Sequence, residues 1–258
     1  MRDRNRNIEY FSRIISLLYD SVYKVMGWIE NGKTPLDRIT FVKRSIVQKY
    51  ILILQCRYSL GHDLRKSVED LKFCYDHCYE SWDGFWKLRT GEPNGSIILS
   101  QYTLSAYDEM LLMLSLGYLL DVPNEDFKKL VDVIDRDGVK DFLFEFIIRD
   151  KIKDRQPITE ESYKEYFHIP KCFEKLRQAI TETDKGKAEK LVKEFITKDW
   201  YKNHKGQGWY DSHKSKHDTY FGYWSFETAA VVKIMNLNDS NFIDCQYYPK
   251  DLVHQENS

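Results

Sequence analysis

Apolar residues at three- and four-residue steps open the chain. Ile8, Phe11, Ile15, Leu18, Val22, Val25 and Ile29 draw one stripe that ends near Gly32, the pattern of a helix burying a single face. Thr34, Pro35 and Asp37 follow: a capping hydroxyl, a proline suited to the first helical position, and a carboxylate for the positive helix end. They predict a second helix bearing Ile39, Val42, Ile46, Tyr50, Ile53 and Leu54 and stopped at Gly61. A third is predicted from about Leu64 to Trp82. Gly84, Gly91, Pro93, Asn94 and Gly95 then break the period into a loop. Beyond it, Ile97 to Leu120 is apolar on most sides, which predicts a central, buried helix.

Pro123 and Asn124 punctuate that run and place a domain boundary there, giving helical domains 1–125 and 126–258 that pack together. In the second, Phe127, Leu130, Val131 and Ile134 predict a short helix closed by Gly138, and Val139 to Ile148 predict another. Pro170 opens a helix through Ile180, Lys187 to Phe195 continues the pattern, and the last long helix runs from about Ser225 to Met235. An aromatic-rich segment precedes it: Trp200, Tyr201, Trp209, Tyr210, Tyr220, Phe221, Tyr223 and Trp224. Tyr and Trp join a flat apolar body to a polar tip, so they serve as pegs between helices or as interface anchors. Surfaces are poor in aromatics, and the segment reads first as pegs.

Composition narrows the fold class. Twelve Gly and six Pro in 258 residues cannot turn the strands of a sandwich or barrel, which leaves a helix-rich globular protein. Charge narrows the partners: 39 basic against 40 acidic side chains, a net of −1, balanced as 16 and 16 within residues 1–125. A nucleic-acid binder draws its affinity from neutralised phosphates and needs a basic excess, so no direct nucleic-acid partner is expected. No stretch approaches 18 uninterrupted apolar residues, and the charged start (Arg2, Asp3, Arg4, Arg6) is unlike a secretory leader. No membrane partner is expected. The five cysteines are an odd number and read as free thiols of a reducing cytoplasm.

Candidate chemistry is thin. Cys74, His77 and Cys78 share one helical face, and His213 and His217 repeat the i, i+4 spacing near His204; four such ligands in a tetrahedron would hold zinc in a metal-dependent enzyme. Yet Cys78 continues an apolar stripe, and neither CxxC nor HExxH is present. There is no GxSxG, Walker A or GxGxxG motif. The chain reads as a non-enzyme without a cofactor or a metal.

The aromatic segment also carries a family resemblance. Trp209-Tyr210-Asp211-Ser212-His213, then Gly222-Tyr223-Trp224-Ser225-Phe226-Glu227, then Tyr247-Tyr248-Pro249 with Asp251 and Leu252, are similar to the C-terminal domain of the PoNe immunity proteins (PoNi). Arg57-Tyr58-Ser59-Leu60-Gly61, Leu64, Leu71, Tyr79 and Trp82 resemble the N-terminal domain of that family more loosely. The resemblance implies a two-domain, all-α antidote that neutralises a cognate DNase toxin in the cytoplasm by stoichiometric occlusion. A general helical adaptor is the remaining alternative. The motif residues are expected to build the fold: Ser225 caps the last long helix, Gly222 takes a positive φ, and Tyr247, Tyr248 and Pro249 fold back over it. A basic nuclease cleft would be met by carboxylates. The candidates are Glu69, Asp70, Asp76 and Glu80 on the third helix, and Asp132, Asp135, Asp137 and Asp141 around Gly138; the plain alternative for each is a solvated helix face. Oligomeric state is left open.

Overall fold

A computed structural model describes residues 1–82, 86–89, 95–163 and 168–254. Its secondary structure is helical apart from one small hairpin, so the fold is all-α. The chain resolves into two compact units interleaved along the sequence. The first takes Met1–Asp83, Glu125–Val133 and Asp211–Tyr223, and the second takes Gly84–Asn124, Ile134–Tyr210 and Trp224–Ser258.

In the first unit, α1 (Ile8–Glu30) packs on α2 (Ile39–Leu60), which packs in turn on α3 (Val68–Ser81). Because α2 is covered from both sides, Ile46, Val47, Ile51, Ile53, Leu54 and Cys56 are all buried. The stripe predicted for α1 is rotated slightly. Ile14 is buried where Ile15 was expected, and Ile8 stands 60% exposed. Thr34 caps nothing. Pro35 instead precedes a 3₁₀ turn, Leu36–Arg38, and α2 begins only at Ile39. Gly61 ends α2 with φ +94° and the backbone of Met1 close by; a Cβ there would lie 3.1 Å from the Met1 nitrogen.

In the second unit, β1 (Lys87–Arg89) pairs antiparallel with β2 (Ile98–Tyr102), in register Lys87 to Tyr102 and Arg89 to Ile98. This corrects two sequence expectations. The strand β1 occupies part of the expected loop, and residues 98–102 form a strand rather than the first turn of a helix. The β-branched Ile97 and Ile98 remain exposed while Gln101 and Tyr102 are buried, so the apolar residues that suggested a buried helix start are the exposed ones. Of the loop markers, Gly84, Gly91, Pro93 and Asn94 lie outside the described residues; Gly95 has φ +121°. Helix α4 (Leu104–Leu119) is buried all round by Tyr107, Met110, Leu111, Met113, Leu114 and Leu116, and α6 (Phe142–Lys151) and α10 (Phe226–Met235) pack on it.

Between them, α5 (Asn124–Asp137) ends at Gly138 in the left-handed conformation. Helix α6 starts at Phe142 rather than Val139, because Asp141 caps it by accepting from the backbone N–H groups of Leu143 and Phe144. Helices α7 (His168–Thr181, kinked at Phe173), α8 (Lys185–Glu194), α9 (Trp200–Asn203) and α11 (Asp251–His254) complete the unit, with a π-turn at Phe195–Asp199 between α8 and α9. No helix among the described residues is long and apolar enough to cross a membrane.

Candidate interaction surface

The family-motif residues fall into two internal clusters, one in each unit. In the first unit, the Tyr220 hydroxyl donates to the Asp3 carboxylate and accepts from Asn5 at 2.8 Å. Asp3 also accepts from the backbone N–H groups of Asn5 and Arg6. Burial and the adjacent Asp3 charge hold the Tyr220 phenol well above its ordinary range. Arg6 donates to the His213 carbonyl at 2.6 Å, and the Tyr223 hydroxyl lies 3.0 Å from His213 Nδ1 and 3.2 Å from Ser212 Oγ. Gly222 takes φ +100° to pass between Tyr220 and Tyr223, whose rings meet edge to face. The N-terminal seven residues, which the periodicity left unassigned, are thus tied to residues 211–223. Their signal, an Asp among arginines, has no period to reveal it.

In the second unit, Glu227 is 6% exposed. It accepts from Trp200 Nε1 at 2.6 Å and from Ser225 Oγ at 2.6 Å, and Ser225 Oγ also lies 2.6 Å from Thr228 Oγ1. Ser225 stands at the N-cap of α10, but its side chain makes no capping bond. The expectation of a serine cap is corrected: the hydroxyl is drawn to the buried carboxylate, whose affinity for protons burial raises. The segment after α10 does fold back. The Ser225 N–H donates to the Tyr247 carbonyl at 2.9 Å, and the Tyr247 ring stacks on Tyr201 and tilts over Trp200. Tyr248 donates to Asp239 at 2.8 Å, which His254 also meets at 2.7 Å. Trp209 stacks on Trp200, and Tyr210 on Tyr201. Trp224, Phe226, Tyr248 and Pro249 are buried, and Asp251 opens α11.

His204 was read from sequence only as a neighbour of His213 and His217. It is 2% exposed, with Nδ1 2.5 Å from the Trp200 carbonyl and Nε2 3.4 Å from Asp108 Oδ1. Burial opposes its charge, but the Asp108 carboxylate and the carbonyl outweigh burial and push its pKa up to about 8.

The residues weighed as alternative metal ligands lie apart in their surroundings. Cys74 and Cys78 are wholly buried, and burial pushes the Cys74 thiol far up. His77 Nδ1 lies 3.0 Å from the Phe73 carbonyl. His213 is engaged by Tyr223, and His217 is exposed. Among the described residues, no three His, Cys, Asp or Glu side chains stand together to hold a metal.

The predicted acidic surface is largely neutralised from within. On α3, Glu69 pairs with Lys72, Asp70 with Arg57, Asp76 with Lys129 and Glu80 with Lys43. Asp135 is clamped by Arg155, which also grips Glu145. Asp137 and Asp141 are buried: the first accepts from Tyr102 at 2.8 Å, the second from Tyr107 at 3.1 Å and from Arg177 at 3.3 Å. Burial, partly offset by Arg177, raises the Asp141 pKa. Those two carboxylates are withdrawn from any partner-facing surface. Asp132 remains exposed on α5. A helical wheel cannot foresee these pairings, because every cation involved except Lys72 comes from a different element than the carboxylate it meets.

Large exposed apolar side chains are unevenly shared. Ile8, Leu17, Tyr23, Trp28, Leu36, Phe41 and Tyr79 belong to the first unit, against Ile97 and Ile98 in the second. Tyr23 on the polar side of α1 and Trp28 on its flank were the overlooked signal, since aromatics left exposed on a helix have no core to fill.

Comparison with known proteins bears on these features. The family model of the PoNe immunity protein (PoNi) N-terminal domain matches residues 2–132, and that of the PoNi C-terminal domain matches residues 139–252. No curated protein matches the sequence significantly. The crystal structure of protein PA2201 from Pseudomonas aeruginosa aligns with a TM-score of 0.67 over 98% of this chain and 90% of that one, at 17% identity. That likeness is one of fold.

Proposed function

The chain belongs to the PoNe immunity protein (PoNi) family, and from that premise we propose that it neutralises a cognate nuclease toxin in the cytoplasm by covering it one to one. The reading rests on the match of both family domains over nearly the whole length, residues 2–132 and 139–252. On this reading the chain makes and breaks no bond itself. Protection comes from denying DNA access to the toxin's active site or groove. A net charge of −1 suits a protein that competes with DNA rather than binding it.

The buried motif residues support a division of labour. Tyr220, Tyr223, Trp224, Ser225, Glu227 and Tyr248 hold the two units in shape, leaving toxin recognition to exposed positions. Tight occlusion of this kind typically covers about 1,200–2,000 Å² in total, centred on a few aromatic or charged anchors. The sequence halves 1–125 and 126–258 are proposed as the family's N- and C-terminal domains.

Co-expression with the toxin encoded beside its gene tests the proposal. Rescue of growth and co-purification at a one-to-one ratio are expected. Growth arrest unrelieved by the chain, with no complex recovered, overturns it.

A further inference from the structure

If the chain covers a nuclease, as proposed above, one of its faces must meet the toxin, and the acids expected from sequence are mostly neutralised. Helix α1 offers a different face. Glu9, Ser16, Asp20, Tyr23, Gly27 and Glu30 follow steps of seven, four, three, four and three, which places them on one side of the helix. All but the half-buried Gly27 are exposed. Nothing lies within 4 Å of where a Gly27 Cβ would stand, so a partner can approach the backbone.

On that side Tyr23, 65% exposed, has no core to fill; Leu17 at 50% and Trp28 at 44% exposure stand out on the flank of the helix, about 120–140° round the axis from Tyr23. Aromatics displayed in this way are the usual anchors of protein interfaces. The carboxylates of Glu9, Asp20 and Glu30 meet no cation at ion-pair distance among the described residues. The two bases of α1 are already placed: Arg13 holds Asp218 and Lys24 lies over the Trp28 ring, 5.2 Å from its centroid. The outward side therefore joins exposed apolar side chains to three carboxylates that outnumber the one exposed ammonium, Lys24, left without a carboxylate partner there.

That combination selects the occupant. A second copy fits poorly, because a two-fold antiparallel pairing would set Asp20 against Asp20 and Glu9 against Glu30. A nucleic acid would be repelled. A protein with a basic groove is matched in both charge and apolar contact. We infer that the outward face of α1, with Tyr23 as its central anchor, Leu17 and Trp28 on its flank and Glu9, Asp20 and Glu30 as its charge, docks the basic nuclease domain of the cognate toxin. At 23 residues, α1 is roughly 35 Å long, enough to lie along such a groove.

The test uses the full chain and the toxin's nuclease domain, inactivated at its catalytic site, with affinity and association rate measured together with each variant's melting temperature. Tyr23→Ala combined with Trp28→Ala is expected to weaken binding at least 100-fold without lowering the melting temperature. Asp20→Arg is expected to slow association at least 10-fold, and Glu69→Arg on α3 to change neither. Should the aromatic double variant fail to fold, Asp20→Arg alone decides. Wild-type binding that all α1 variants retain within twofold overturns this surface and leaves the proposed function standing; absence of wild-type binding overturns both. Self-association of the free chain that Tyr23→Ala abolishes assigns the face to a second copy and also overturns the inference.

Discussion

Nε2 of His204 lies 3.4 Å from Oδ1 of Asp108 inside the second unit, and Nδ1 of the same ring faces the Trp200 carbonyl at 2.5 Å. With an acceptor facing each nitrogen, the ring favours its protonated form over the neutral one. Its pKa of about 8 exceeds the ordinary 6.5, so folding gains stability that is fully present below pH 6.5 and lost as pH rises through 8. The expected loss is about 2 kcal/mol between pH 6 and pH 9. Thermal melts across that range check it. His204→Gln should flatten the dependence, and an unchanged slope would refute the assignment to this ring.

Tyr220→Phe removes the hydroxyl that joins Asp3 and Asn5, and leaves the Asp3 carboxylate with only its backbone donors. A loss of roughly 1–3 kcal/mol is expected from denaturant unfolding, with binding of the toxin unaltered at low temperature. Weakened binding at full stability would instead place Tyr220 at the partner.

Trp224 is 9% exposed at the entrance to α10. Trp224→Ala is expected to cost roughly 3–5 kcal/mol of stability, read from the same unfolding curves. A variant of normal stability that no longer protects against the toxin would show a contact role.

Chelation is expected to leave the melting temperature unchanged. Cys74 and Cys78 lie in the core of the first unit, and His77 is bonded to its own helix, so these side chains are not free to gather around an ion. A large fall in melting temperature on adding EDTA, with zinc found by elemental analysis, would contradict this.

Steering by the α1 carboxylates predicts a salt effect. Association with the nuclease domain should slow as ionic strength rises, since the screening length shrinks to about 10 Å at 0.1 M. A rate indifferent to salt removes the electrostatic part of that surface.

What the sequence made legible follows from what periodicity measures. The stripe from Phe11 to Val22 and the all-round apolar run from Met110 to Leu119 report burial along one helix, and both became helices of the expected kind. Gly61 and Gly138 end their helices and Gly222 takes a positive φ as expected, because a missing Cβ makes the left-handed conformation of all three easy. The strand at residues 98–102 was missed because an apolar stretch of that length suits either period and its partner lay in an expected loop. The pairings of Asp70 with Arg57 and of Asp141 with Arg177 were beyond reach for another reason: they join side chains far apart in sequence, and no local spacing encodes them.

The first unit draws on residues 1–83, 125–133 and 211–223. During synthesis, Asp3 must wait for Tyr220, made 217 residues after it. A chain broken off early therefore cannot complete this unit. Any copy that stops before residue 211 lacks one of the three stretches from which this unit is assembled.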